Sequence, residues 1–181
     1  MSIFAGASDS ELQMRFVACH LANLRQMYNH QLRLLYFAES QISQVMPRMI
    51  SESREPDLKR VLDGHLEQTR LHLARLTQIL DADSALIQSE NRVMAALIQE
   101  CEAALASATE EPVRDAIIIA AAQKLEHYQI AAYGTLRNFA EILGNLEQAE
   151  LLDQALDDEK LTDSLLTEIA DSANTRADRT D

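Results

Sequence analysis

The sequence predicts an all-α protein built on four long helices. The chain has 181 residues, of which only 4 are Gly and 3 are Pro, and it contains 4 Tyr, 4 Phe and no Trp. Strands draw on aromatic and β-branched residues and need frequent Gly and Pro turns, so this composition disfavours a β-rich fold. Hydrophobic residues make up 47% of the chain, and they recur at helical spacing over long stretches. A chain of this length fits one domain.

The first predicted elements are an N-terminal extension and the first long helix. Residues 1–27 are expected to begin disordered and then to form an extra amphipathic helix, which Ser10 can cap. The apolar stripe continues over residues 28–52, which we predict as the first long helix of the fold. Pro47 lies inside this helix and is expected to kink it or to weaken its last turns.

The second long helix and a short helix follow. Pro56 fits the first turn of a helix over residues 57–80, whose leucines recur at the spacing of one helical face. A polar connection over residues 81–89 leads to a shorter helix over residues 90–107. We expect this short helix to form part of the link between two long helices.

A tight turn separates the last two long helices. The third long helix, residues 112–143, is the most apolar, and Gly144 ends it in the manner of a left-handed C-cap. The fourth covers residues 146–172, and the polar residues 173–181 are expected to form a disordered tail. Residues 28–172 are therefore the predicted bundle domain.

The lengths of the connections predict how the four long helices are arranged. Only a few residues join the first helix to the second and the third to the fourth, and short links make antiparallel neighbours. The link between the second and third helices has about 30 residues, which allows the third helix to start again from the far end of the bundle. This pattern predicts a ferritin-like four-helix bundle with one long crossover connection and additional short helices.

The charge and the cysteine content exclude several classes of function. The chain carries a formal charge of −13 at pH 7, and such an acidic surface repels phosphate backbones and anionic lipid headgroups. We therefore expect neither nucleic acid nor a membrane as a partner. Cys19 and Cys101 are too few for a disulfide framework, and the start of the chain lacks the pattern of a leader peptide. These observations predict a soluble, cytoplasmic protein.

Three acidic residues fall on the buried faces of three predicted helices. Glu39, Glu126 and Glu159 each lie within an apolar stripe and near the midpoint of a helix, and Asp163 follows one turn after Glu159. In an antiparallel bundle these midpoints come to one level. Burying several carboxylates together is unfavourable unless protons, basic partners or a metal offset their charge. Each Glu could instead lie at the rim of its stripe, but three acids at one level favour a buried cation.

The second long helix supplies the nitrogen ligands in this prediction. Carboxylates and imidazoles inside a four-helix bundle are typical of iron or manganese sites. His65 and His72 lie on the inward face or close to it, whereas Glu67 nominally points away from the core. The two histidines are two turns apart, so both reach one site only if it is elongated along the bundle. The Glu-x-x-His pair of the usual di-iron site does not occur in this sequence.

Several runs of the sequence carry a family resemblance: Tyr36 to Gln41, His65 to Thr69, Arg114 to Ala116, Ala121 to Leu136 and Leu156 to Lys160. They resemble the YciF/YciE-like bacterial stress-protein family of the ferritin-like superfamily over residues 28–170. The resemblance implies a rubrerythrin-like bundle, a homodimer and a di-metal centre. Members often carry an acid where this chain has Leu34, Gln68 and Gln129. Fewer acids hold two cations less well, so a mononuclear, weak or vestigial site stays open.

Two functions are open at this point, and whether the protein is an enzyme is open with them. The first is a ferritin-like stress-response protein, whose iron or manganese site acts on peroxide, oxygen or iron in oxidative or general stress defence. The second is a non-enzymatic acidic helical homodimer with a decayed site, in which the buried acids are protonated or hydrogen-bonded to Gln129, Thr69 and Tyr133. An acidic partner for a basic protein is a third class that the charge allows.

Overall fold

The computed structural model describes residues 21–80 and 90–179, and these residues form five helices. The helices are α1 (Leu24–Glu52), α2 (Pro56–Ile79), α3 (Arg92–Ser107), α4 (Glu111–Ile142) and α5 (Leu146–Asp178). The all-α prediction is confirmed, and α1, α2, α4 and α5 are the four long helices. Within the described ranges, none of the helices combines the length and the apolar character needed to cross a membrane.

Helix α1 differs from its predicted form at its start. It begins at Leu24, after the side chain of Asn23 accepts a hydrogen bond from the backbone N–H of Gln26, so no break separates residues 24–27 from the rest. It also continues through Pro47, whose ring faces solvent. The predicted cap at Ser10 and most of the predicted extra helix lie outside the described residues.

Helix α5 continues past its predicted end at residue 172 and stops at Asp178. Two contacts explain the extension: Ala173 is buried in the apolar core, and Arg176 forms an ion pair with Glu55 at the start of α2. The predicted disordered tail is therefore wrong for residues 173–178. At the other end of α4, Gly144 has a φ of 77°, which confirms the left-handed C-cap.

Contacts at the helix ends establish the directions of the four long helices. The backbone N–H groups of Arg54 and Glu55, between α1 and α2, donate to the carboxylate of Asp115 near the start of α4, at 2.7 and 3.0 Å. At the opposite end, the hydroxyl of Tyr28 near the start of α1 donates to Gln148 near the start of α5 at 2.8 Å. Helices α1 and α5 thus run one way, and α2 and α4 run the other. This is the ferritin-like order with one long crossover, in which α3 packs against α1 and α4.

A layer of polar side chains divides the hydrophobic core into two clusters. One cluster surrounds the end where α1 meets α2 and includes Met46, Leu62 and Ile118. The other surrounds the α4–α5 turn and includes Leu32 and Leu152. Between them, at the middle of the bundle, lie buried polar side chains from all four long helices: Glu39, His65, Thr69, His72, Glu126, Gln129, Glu159 and Thr162.

Candidate metal centre

Five ionisable side chains in the polar layer converge from the four long helices. Glu39 comes from α1, His65 and His72 from α2, Glu126 from α4, and Glu159 from α5, and none of them is more than 1% exposed. Each acid occupies a core-facing position near the middle of its helix, so the antiparallel packing brings the carboxylates to one level. The two histidines are seven residues apart, which is close to two helical turns, and so they share one face of α2.

These side chains form two groups that share one residue. Glu39, His72 and Glu159 form the group that we call the His72 half, and His65, Glu126 and Glu159 form the His65 half. In each half, every residue offers one ligand atom, and these atoms lie within 4.8 Å of one another. Either half has the donor set of a divalent cation site, with two carboxylates and one imidazole.

Glu159 presents a different oxygen to each half. Its Oε1 lies 3.1 Å from Nδ1 of His72, and its Oε2 lies 3.7 Å from Nδ1 of His65. The remaining contacts complete the halves: Nδ1 of His72 is 3.7 Å from Oε1 of Glu39, and Nδ1 of His65 is 2.9 Å from Oε1 of Glu126. Glu159 therefore has the arrangement of a bridging carboxylate between two adjacent sites.

The hydrogen bonding of the polar atoms in the cluster shows whether these residues fit a cation. Several of them have no hydrogen-bond partner although they are fully buried, because the close contacts are not aligned for hydrogen bonding: Nδ1 and Nε2 of His65, Nδ1 of His72, and Oε2 of Glu39, Glu126 and Glu159. Buried polar atoms without partners are costly. Metal–ligand bonds of about 2.0–2.2 Å place neighbouring ligand atoms roughly 3 Å apart, close to the shorter contacts in both halves. The residues fit divalent cations.

The carboxylates of the His72 half are held by two neutral donors from α4. The Nε2 amide of Gln129 donates to Oε1 of Glu39 at 3.1 Å and to Oε1 of Glu159 at 2.7 Å. The hydroxyl of Tyr133 donates to Oε1 of Glu39 at 2.6 Å, and its ring packs edge-on against His72. These donors fix the carboxylates while leaving Oε2 of Glu39 free to face a cation.

A third partner orients the imidazole of His72. Its Nε2 lies 3.2 Å from Oδ2 of Asp158, which also accepts a hydrogen bond from Arg75 at 3.3 Å. A carboxylate at Nε2 favours the tautomer with its proton there, which leaves the lone pair of Nδ1 directed at the cluster. The cluster thus has the carboxylate–histidine–metal arrangement that orients histidine ligands in metalloproteins, with the candidate cation position at Nδ1 of His72.

Burial changes the protonation of the cluster when no cation is bound. It raises the pKa of Glu126 to about 8 and the pKa of Glu159 well above its usual range. Burial alone lowers the pKa of His72, but the carboxylates of Glu159 and Glu39 outweigh that effect and raise it to about 10. The cation-free cluster therefore holds protons near neutral pH, and an arriving cation has to displace them.

Two of the seven residues singled out from the sequence lie outside the cluster. Glu67 projects into solvent with 69% of its side chain exposed and pairs with Arg70, as its position on the outer face of α2 dictates. Asp163 lies one turn beyond Glu159, where its carboxylate is 3.5 Å from His127 and 3.4 Å from Gln123 at the bundle surface. The structure brings together the other five: Glu39, His65, His72, Glu126 and Glu159.

Asp158 is the partner that sequence reasoning missed. Its signal in the sequence is weak, because it precedes Glu159 and lies at the edge of the buried face. Gln129 and Tyr133 were expected as hydrogen-bond partners of the buried acids in a decayed site. Their amide and hydroxyl do contact the carboxylates, but in a geometry that also suits ionised, cation-bound carboxylates.

Comparison with known proteins identifies the family. A family model described as "Domain of unknown function (DUF892)" matches residues 23–178. The chain belongs to this family. It is 35% identical over 153 residues to Protein YciF of Escherichia coli (strain K12), covering 83% of this chain and 92% of that protein. The resemblance to YciF-like proteins is thereby confirmed.

Two solved structures of similar sequence share the fold. The crystal structure of the E. coli stress protein YciF matches with a TM-score of 0.80 at 33% identity, covering 85% of this chain and 98% of that chain. YcfI from Rhodopseudomonas palustris matches with a TM-score of 0.76, also at 33% identity, covering 84% and 98% of the two chains. The helical bundle therefore extends over nearly the whole length of both relatives.

Proposed function

We propose that this protein is a stress-response protein that binds two first-row divalent cations, iron or manganese, in the polar layer of its bundle. The observation that carries the proposal is the placement of Glu159, whose two oxygens each face the Nδ1 atom of a different histidine. A stress role is supported by the relative from E. coli, which is called a stress protein. Two carboxylates and an imidazole per cation suit iron and manganese.

Different residues of the chain would hold the two cations of such a centre. Glu39 and His72 would hold one cation, His65 and Glu126 the other, and Glu159 would bridge them. When bound, the cations supply redox chemistry toward peroxide or dioxygen. The apolar clusters on both sides exclude bulk water from the layer.

Metal analysis of three proteins tests the proposal. The unmodified chain, Glu159→Ala and Glu67→Ala are purified without chelators, loaded anaerobically with Fe²⁺ or Mn²⁺, and desalted before mass-spectrometric metal counting. We expect about two ions per chain in the unmodified protein and in Glu67→Ala, and nearly none in Glu159→Ala, because bridging ligands serve both sites. Circular dichroism checks that the variants stay helical. Negligible metal in all three proteins would overturn the proposal.

A second function is favoured by the hydrogen bonds that Gln129 and Tyr133 make to Glu39 and Glu159. These bonds partly satisfy the layer without a metal, as expected of a non-enzymatic acidic helical homodimer with a vestigial site. Under this alternative, metal loading fails, while light scattering after gel filtration gives the mass of a dimer. Retained dimers together with stoichiometric metal would instead support the homodimer and the metal centre at once.

A further inference from the structure

A groove between α2 and α5 leads from the surface to the His65 half. Its cavity has a volume of about 280 Å³ and is lined at the rim by exposed residues that include Gly64, Leu161 and Leu165. Its buried lining consists of His65 and Thr162, which are 1% and 3% exposed. A ligand of the candidate centre therefore forms part of the wall of a surface groove.

Gly64 keeps the rim of this groove open. A Cβ built at this position meets no atom within 4 Å, so a side chain here would extend into free space beside His65. Glycine in the interior of a helix is less favourable than alanine by about 1 kcal/mol. Packing therefore does not require a glycine at this position. The effect of the glycine is to leave the groove open beside His65.

The chemistry at the inner end of the groove differs from that of the closed His72 half. Nε2 of His65, which lines the groove, has no hydrogen-bond partner. In contrast, Nε2 of His72 contacts Asp158, and Tyr133 packs against its ring. Buried polar atoms without partners beside a cavity are the places where a small hydrogen-bonding ligand gains most.

We propose that the groove is the binding route for a small uncharged ligand of the cation in the His65 half, of the class of hydrogen peroxide or another molecule of two or three heavy atoms. The inference rests on the proposed metal centre and adds which half accepts the external ligand and from which side. His65 is only 1% exposed, so the last step from the groove to its imidazole admits only a small molecule. The rim contains the apolar Leu161 and Leu165 together with Arg60, whose charge is paired with Asp57, and this lining favours an uncharged ligand over an ion.

Filling the groove at Gly64 tests the route with nitric oxide, an uncharged diatomic that binds ferrous iron. Stopped-flow absorbance measures its association with the Fe²⁺-loaded protein, after metal counting has established the iron content. We expect Gly64→Leu to keep its iron and to slow the association at least about tenfold. Gly64→Ala adds only a Cβ and is expected to stay within about twofold of the unmodified protein. Asp63→Leu, with the same bulk on the neighbouring exposed position, is the matched control.

The outcomes separate this inference from the proposed function. Full iron content with equal rates in Gly64→Leu and Gly64→Ala would overturn the route while leaving the metal centre intact. Absence of iron from the unmodified protein would overturn both. If Gly64→Leu fails to hold iron, the metal-free proteins are treated with diethyl pyrocarbonate and the histidines are read by peptide mass spectrometry. Slower modification of His65 in Gly64→Leu than in Gly64→Ala supports the route, and equal modification rejects it.

Discussion

The two halves of the buried cluster contain the same ligand types but differ in their surroundings. In the His72 half, hydrogen bonds from Gln129 and Tyr133 hold the carboxylates, and Asp158 orients the imidazole. In the His65 half, the nitrogens of the imidazole have no hydrogen-bond partner, and the imidazole borders a groove. Identical donors can therefore make one preorganised position and one adaptable position. We expect the first cation to bind in the His72 half and the second, more weakly, in the His65 half.

The largest expected effect comes from removing a carboxylate that belongs to only one half. Glu126→Ala is expected to retain about one ion per chain in the His72 half, because Glu39, His72 and Glu159 remain. Glu39→Ala is expected to lose the tighter ion and to weaken the other through the freed Gln129. Metal titration followed by calorimetry measures both affinities. Equal loss in the two variants would show that the halves are not distinct.

The pH dependence is the next largest effect. Raised native pKa values near 8 for Glu126 and 10 for His72 mean that the cation-free fold binds protons that the unfolded chain has released. Its stability is therefore fully present at acidic pH and falls as pH rises, through 4.5–8 for Glu126 and 6.5–10 for His72. Cation binding has the opposite dependence, gaining up to about tenfold in affinity per pH unit for each proton displaced.

Thermal melts between pH 6 and pH 9 check this sign, with and without Mn²⁺. The increase in melting temperature caused by Mn²⁺ is expected to grow with pH. Glu126→Gln carries no titrating carboxyl at this position, so its cation-free melting temperature is expected to depend less on pH. Glu150→Gln changes an exposed acid and provides the control. If the stability of the cation-free protein rose with pH over this interval, the cluster would not hold protons as described above.

Removing the orienting carboxylate is expected to have a smaller and one-sided effect. Asp158→Asn should weaken the ion of the His72 half by about 10–100-fold, because the amide no longer selects the tautomer of His72. The ion of the His65 half should change little. The matched control is Asp157→Asn, which alters an exposed acid paired with Lys160 on the same helix. Equal weakening in both Asn variants would reduce the role of Asp158 to surface charge.

The smallest expected effect comes from Tyr133. Tyr133→Phe keeps the ring against His72 but removes the hydroxyl that donates to Glu39. Losing one hydrogen bond to a charged acceptor should reduce the affinity of the tighter ion by about tenfold. Calorimetric titration at one pH measures it. A loss that appears in the weaker ion instead would reverse the assignment of the halves.

Much of the fold was predictable because it depends on local patterns. Apolar stripes placed the four long helices, and the unequal links predicted the crossover. Stripe position also singled out Glu39, Glu126 and Glu159. The end of α5 was not predictable, because residues 173–178 are held by Ala173 in the core and by an ion pair from another helix.

The division of the centre into two halves was beyond sequence reasoning for a physical reason. Periodicity tells which face of a helix a residue occupies, but not which atom of its side chain meets which neighbour. The two oxygens of Glu159, the two ring nitrogens of His72 and the contact with Asp158 depend on side-chain geometry across two helices. The groove beside His65 likewise exists only once α2 and α5 are packed together.

Anomalous diffraction from crystals soaked in manganese tests the central claim most directly. Two peaks are predicted in the middle of the bundle, one within about 2.0–2.3 Å of each oxygen of Glu159, with His72 and Glu39 on one peak and His65 and Glu126 on the other. Manganese that binds away from Glu159, or no peak in the polar layer at saturating concentration, would contradict the account.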